Sequence, residues 1–254
     1  MTEPLYRLHR TVLQHPDGRT ALNGIDLSVM PGERIVLLGA NGSGKSTLLR
    51  LMNALLWPTG GKIQYRGKPL NEKQMKDRAY SRQFRSDVAL MFQHPEAMLF
   101  NPTVGEEIAY GLRQLNDAER QEAVSYWSRL MRLEDKLDAP PSQLSGGEKQ
   151  RLCLACLLAI EPKVLLMDEP TTNLDPNTTG WLLEWLSKRD LTTITATHQL
   201  SLAPLFGDRA VVLGPDHTVV FDGPLEGALQ DSALLEQCNL TSDYLLRHQA
   251  SGNA

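Results

Sequence analysis

Long apolar stretches are missing from this chain. Its longest uninterrupted apolar run, Leu152 to Ile160, covers nine residues, about half of the roughly 18 that suggest a membrane-spanning helix. Any membrane role therefore calls for a partner that spans the bilayer. Cysteine is scarce as well: Cys153, Cys156 and Cys238 are the only three, and the chain opens MTEPLYRLHR with no apolar signal stretch. A reducing, cytoplasmic setting is expected. Cys153 and Cys156 form a C-x-x-C, but they sit inside LCLACLLAI with no second pair and no neighbouring histidine. That pattern reads as two small buried helix residues rather than a zinc site. An excess of positive charge is also absent. Lys and Arg number 26 against 30 Asp and Glu, for a net charge of -4. No global field exists to hold a nucleic-acid backbone or an anionic membrane, and no nucleic-acid partner is expected. Any bound anion must be held locally.

What is present is ordinary globular composition, 41% apolar and 22% charged over 254 residues, enough for one large domain or one core with a subdomain. ALNGIDLSVMPGERIVLL, from Ala21 to Leu38, reads as an alternating strand, a turn at Pro31-Gly32 and a short apolar strand from Ile35. A glycine-rich loop follows. Helical patterning from Lys45 to about Leu56 ends at Trp57-Pro58-Thr59-Gly60. From about 96 to 160, helix-favouring segments such as DAERQEAVSYWSRLMRLEDKL dominate. Short strands at Val164 to Met167 and Leu191 to Ala196 flank the helical WLLEWLSKR, the rhythm of a parallel α/β sheet.

Gly39-Ala40-Asn41-Gly42-Ser43-Gly44-Lys45-Ser46-Thr47 satisfies G-x-x-x-x-G-K-[ST] between a predicted strand and a predicted helix, the context that gives this motif its meaning. Glycines let the backbone curl so that successive amide N–H groups face one anion, and the positive end of the following helix adds to the attraction. In this arrangement Lys45 reaches the β- and γ-phosphates of a nucleotide, the Ser46 hydroxyl ligates the bridging magnesium, and Thr47 is the next phosphate contact. Asp168 and Glu169 close the apolar strand Val164 to Met167. Two adjacent carboxylates at a sheet's carboxyl edge suit a magnesium ligand and a base for water.

Leu144-Ser145-Gly146-Gly147-Glu148-Lys149-Gln150-Arg151 follows Pro140-Pro141 and opens a helix, with Ser145 and Glu148 spaced as a capping box. Together with the phosphate loop and the Asp168-Glu169 pair, LSGGEKQR resembles the signature of ATP-binding-cassette (ABC) ATPases, and the likeness covers almost the whole chain. The resemblance implies a P-loop NTPase α/β core with a parallel sheet, an ABC-type helical subdomain and a small N-terminal antiparallel β region. It implies a single domain: core at 1–95 and 161–225, helical subdomain at about 96–160, and a short helical tail at 226–254. It implies ATP and Mg2+ as cofactors, with Gln93 joining the magnesium site to the helical subdomain and His198 contacting the γ-phosphate. Asp175, in Asn173-Leu174-Asp175, is implied as the acid of a dimer-facing loop. The signature, Leu144 to Glu148, is implied to act on ATP held by a second ATPase subunit, another copy or a paralogue. Where the family commonly has an aromatic for adenine stacking, this chain has His15, and Gln199 stands where the family often has aspartate.

FQHPE, Phe92 to Glu96, followed by MLFNPTVGEEIAYGL, resembles the ATPases of the energy-coupling-factor group of importers. Read alone, the same residues are a loop entering an amphipathic helix. The expected function is ATP-driven uptake of nickel or cobalt through separate integral-membrane subunits, with the ATPase peripheral on the cytoplasmic face of the membrane. A vitamin importer is the nearest alternative, and a non-transport cassette is disfavoured by the lack of a coiled-coil insert, a second cassette or a basic stripe.

Overall fold

A computed structural model describes residues 3–94, 98–172 and 174–240. Its elements begin β1 (Tyr6–Gln14), β2 (Thr20–Val29), β3 (Arg34–Leu38), α1 (Lys45–Met52), β4 (Gly60–Tyr65), β5 (Lys68–Pro69), α2 (Glu72–Met75) and α3 (Arg78–Asp87). There follow β6 (Val88–Met91), α4 (Val104–Tyr110), α5 (Asp117–Leu130), α6 (Gly146–Ala159), β7 (Val164–Asp168) and α7 (Pro176–Ser187). The chain then runs β8 (Thr192–Ala196), α8 (Ala203–Phe206), β9 (Arg209–Leu213), β10 (Val219–Pro224), α9 (Leu225–Gln230) and α10 (Ser232–Gln237). Contacts divide it into one unit of Met1–Arg82 with Asp190–Ala254 and another of Gln83–Arg189.

In the first unit an antiparallel sheet runs β2-β1-β4-β5. β1 alternates as a half-buried strand should, with Tyr6 and Leu8 inward and Arg7 and His9 outward. The alternation slips at Arg10, whose φ of 45° belongs to a bulge between Leu8 and Thr11. The same unit holds β3 between β8 and β9, both parallel to it, with β10 antiparallel on β9. Ile35 to Leu38 are all buried, which is why this strand reads as a continuous apolar run rather than an alternating one.

α1 turns Leu48, Leu49, Leu51 and Met52 fully inward. The Tyr6 hydroxyl donates to the Met52 carbonyl at 3.0 Å and so fixes β1 to the end of the helix. The helix stops at Met52, short of the Leu56 expected from patterning. The reason is local: Ala54 takes φ 57°, its N–H returns to Leu51, and the Leu55 N–H returns to Arg50. This pair of bonds satisfies the last carbonyls and turns the chain away before the proline and glycine are reached.

In the second unit β6 and β7 are parallel, in register from Val88↔Val164 to Met91↔Met167, and fully buried. The helices expected between them are α4, α5 and α6. α5 starts on a capping box of Asn116 and Glu119, and Trp127 on α5 meets Trp185 on α7 with ring centroids 6.2 Å apart. α6 buries Leu152, Leu154, Ala155 and Leu158. Cys153 and Cys156 lie on α6 and form no disulfide among the described residues, and burial pushes the Cys156 thiol well up. The tail supplies α9 and α10, and residues 241–254 lie outside the described residues.

Candidate active site

β3 ends at Leu38, and the loop Gly39 to Gly44 leads directly into α1. The glycines are required by the space around them. A Cβ on Gly39 would lie 2.6 Å from the Leu213 carbonyl oxygen, and one on Gly44 would lie 2.4 Å from that of Ala21. Gly42 and Gly44 also hold φ of 83° and 108°, the left-handed region that side chains resist. The loop is thus pressed between β2 on one side and the β9–β10 hairpin on the other. The Lys45 ammonium curls back over it, donating to the carbonyls of Gly39 at 2.6 Å and Ala40 at 2.9 Å. Ser46 and Thr47 are half-buried in the first turn of α1, and Asn41 and Gly42 are exposed at the loop's tip. Ser43 is 4% exposed, and among the described residues its hydroxyl has no hydrogen-bond partner. A buried hydroxyl without a partner is costly, and a bound phosphate oxygen inside the loop is a natural acceptor for it.

The parallel register brings His198 to this loop. Leu37 pairs with Ala196, so two residues further on Gly39 and His198 are level at the carboxyl ends of β3 and β8. His198 is exposed there, spanned by the bond from the Gln199 N–H to the Thr197 hydroxyl at 3.0 Å. His15 lies exposed at the β1–β2 turn, where its N–H bonds the Arg19 carbonyl at 2.8 Å. One contact was not foreseen from the sequence. His217, at the tip of the β9–β10 hairpin, places its Nδ1 3.2 Å from the Ser43 carbonyl oxygen. Nothing in the pattern around Asp216-His217-Thr218 signals it.

In the second unit the β6–β7 register assembles the carboxylates. Met91 pairs with Met167, so Phe92 and Gln93 continue level with Asp168 and Glu169. Asp168 and Glu169 are 6% and 5% exposed, whereas Gln93 is exposed. Glu169 takes φ 51°, which swings the chain sharply at the strand's end. The carbonyl of the next residue, Pro170, accepts from the fully buried Gln150 amide of α6 at 3.2 Å. The signature helix is thereby fastened to the turn that carries Glu169.

At the start of α6 the expected capping box is present, with Ser145 and Glu148 bonded reciprocally. Leu144 is buried as an anchor while Ser145 and Gly146 are exposed, and nothing among the described residues lies within 4 Å of where a Gly146 Cβ would be. A bond from the Lys136 ammonium, and then the Ser145 N–H, lower the Glu148 carboxyl to about 2. Asp175 is the N-cap of α7, accepting from the Thr178 N–H at 3.0 Å and hydroxyl at 2.6 Å, bonds that hold its carboxyl below the usual range. Asn173 in the same loop lies outside the described residues, as do Pro95 and Glu96 of FQHPE. Glu107, in the TVGEE stretch, has a structural task missed in the sequence. It is buried and accepts from the N–H groups of Phe100 at 2.9 Å and Asn101 at 2.6 Å. Thr103 caps α4 through the Glu106 N–H.

Residues 22–172 match the family model described as ABC transporter. A nickel import ATP-binding protein, NikO, from Rhodobacter capsulatus is 42% identical over 235 residues, covering 89% of this chain and 92% of that one. An energy-coupling factor transporter ATP-binding protein, EcfA, from Methanosphaera stadtmanae is 35% identical, covering 92% and 84%. Among solved structures, cbiO1 from Clostridium perfringens, part of the ABC transporter complex cbiONQ, superposes with a TM-score of 0.75 at 28% identity, covering 98% of this chain and 99% of that one. The cassette MJ0796, a dimer in a post-hydrolysis state bound to ADP and Pi, superposes at 0.77 with 27% identity, covering 87% and 98%. A glycine-forced phosphate loop under a lysine, a carboxylate pair at a strand end and a capped signature helix agree with these likenesses: the chain belongs to the ABC transporter family and is an ABC ATPase.

Proposed function

We propose that this ATPase powers an energy-coupling-factor-type importer of nickel or cobalt, bound to the cytoplasmic face of integral-membrane subunits. The observation that carries the reading is the 42% identity, across nearly the full length of both chains, to a nickel import ATP-binding protein. An exposed aromatic patch supports a docking role. Phe100 is 65% exposed and packs edge-on against Tyr110 at 4.7 Å, with the Arg113 guanidinium 4.0 Å above the Tyr110 ring. Large rings and a stacked arginine left in solvent are the residues that anchor protein interfaces. Among the described residues no helix is long and apolar enough to cross a membrane.

Within this reading the loop's amide N–H groups, Ser43 and Lys45 hold the ATP phosphates, and His15 lies against the adenine. Ser46, Asp168 and Gln93 would supply the oxygen donors for Mg2+, a hard cation that such donors suit. When bound, magnesium offsets the charge that builds on the transferred phosphoryl group. Glu169 accepts the proton of the attacking water, and His198 donates to the γ-phosphate. The exposed N-terminus of α6, with N–H groups of the first turn that no helix can satisfy internally, offers Ser145 to Gly147 to ATP held by a second cassette, another copy or a paralogue. Asp175 lies in the loop facing that subunit.

Cells deleted for this gene should lose high-affinity nickel or cobalt accumulation, recovered with the wild type but not with Glu169→Gln. Normal accumulation of both metals, with a defect in vitamin uptake, would overturn the metal assignment and leave the ATPase in place.

A further inference from the structure

The hairpin between β9 and β10 does more than end the sheet. Its tip residue, His217, adopts φ 62°, a left-handed conformation that glycine takes freely and that histidine enters more readily than most other residues. Its contacts show what the side chain does there. The backbone is held on both sides: the His217 N–H bonds the Gly214 carbonyl at 3.1 Å, and its own carbonyl accepts from the Asn23 N–H of β2 at 2.9 Å. With the backbone fixed, the imidazole reaches across to the phosphate loop, Nδ1 standing 3.2 Å from the Ser43 carbonyl oxygen. A carbonyl oxygen only accepts, so Nδ1 carries the proton.

The Ser43 carbonyl belongs to the same peptide plane as the Gly44 N–H. In a trans peptide these two groups point in opposite directions. Holding the carbonyl outward toward His217 therefore aims the Gly44 N–H the other way, to the inside of the loop. The same bond polarises the peptide and makes that N–H a stronger donor. Gly44 itself cannot be fixed by a side chain, and its φ of 108° is open to many alternatives.

We propose that His217 is a positioning residue for nucleotide binding, which orients the Ser43–Gly44 peptide so that its N–H faces the phosphates common to ATP and ADP. The proposal rests on the reading of Gly39 to Thr47 as the phosphate site. Its consequence is an affinity effect shared by the two nucleotides, since loop amides cradle the α- and β-phosphates, with little effect on the chemical step.

The test compares His217→Gly, His217→Asn and His217→Asp, with Lys45→Ala as control, by titration with MgATP and MgADP and by steady-state hydrolysis. Glycine suits φ 62° and removes the bond. Asparagine tolerates the same backbone and places an amide NH2 where Nδ1 stands, while aspartate places an acceptor there. His217→Gly should weaken both nucleotides in parallel by about 3- to 10-fold, raising KM with kcat retained, while its melting temperature stays level or rises. His217→Asn should restore the affinity, and His217→Asp should be the weakest binder, because two oxygens then face each other. Unchanged affinity in His217→Gly, or failure of His217→Asn to restore it, with Lys45→Ala impaired, overturns the proposal and leaves the phosphate site standing. Unchanged affinity in Lys45→Ala removes the phosphate site, and the proposal with it.

Discussion

Glu169 occupies a backbone conformation that works against its own side chain. Its φ of 51° costs a residue with a Cβ about 1–2 kcal/mol relative to glycine, and the carboxylate is 5% exposed. A strained backbone under a buried carboxylate is consistent with a functional position. Glu169→Gly should therefore raise the melting temperature while abolishing turnover, and calorimetry beside an ATPase assay measures both. Glu169→Gln keeps the shape and removes the proton acceptor, so ATP binding should persist while hydrolysis falls about 100-fold or more. Lys45→Ala should act differently, weakening ATP binding itself, because it removes the only ammonium that closes over the Gly39 and Ala40 carbonyls among the described bonds. Lys45, Asp168 and Glu169 stand out in the sequence because each sits in a motif with a strand or helix signal beside it. His217 does not, because its partner Ser43 is 174 residues away and only the folded hairpin brings them together.

At the scale of elements, α6 was legible to its first residue, because Ser145 and Glu148 stand three apart before an apolar run and the structure forms that capping box. α1 was legible at its start and not at its end, since the turn at Ala54 is written in backbone bonds to Leu51 and Arg50 rather than in a glycine or proline. β10 drew no strand reading because it is an edge strand whose apolar run, Val219 to Phe221, is only three residues long and gives way at once to Asp222-Gly223-Pro224. Register was invisible in the sequence, yet it sets Gln93 level with Glu169 and His198 level with Gly39. The α6 cap also carries a pH signature. The Glu148 carboxyl is lowered from 4.5 to about 2, first by Lys136 and then by Ser145, so its ionised form stabilises the fold fully above 4.5. That contribution is lost as pH falls through the interval down to about 2. Glu148→Gln should melt below the wild type at pH 6, and the gap should close as the pH is lowered through that interval. A gap that widens on acidification would mean the carboxylate is not the stabilising form.

At the scale of the whole molecule, the proposed function needs two kinds of neighbour. Phe100→Ser should weaken co-purification with membrane subunits and leave MgATP affinity unchanged, because Phe100 is exposed and its ring packs on Tyr110. Equal recovery of the membrane subunits would remove the aromatic patch from the interface. The second neighbour is another cassette, with the signature of one subunit proposed to complete the ATP site of the other. Mixing variants tests this most directly. Ser145→Arg fills the exposed mouth of α6 with bulk and positive charge, and Lys45→Ala disables the phosphate loop, so each alone should hydrolyse little ATP. A mixed dimer holds one site made of two intact halves and one doubly damaged, and hydrolysis should return when the two inactive proteins are combined. Full turnover by Ser145→Arg alone, or no recovery on mixing where the wild-type chain is active, would contradict action across the interface.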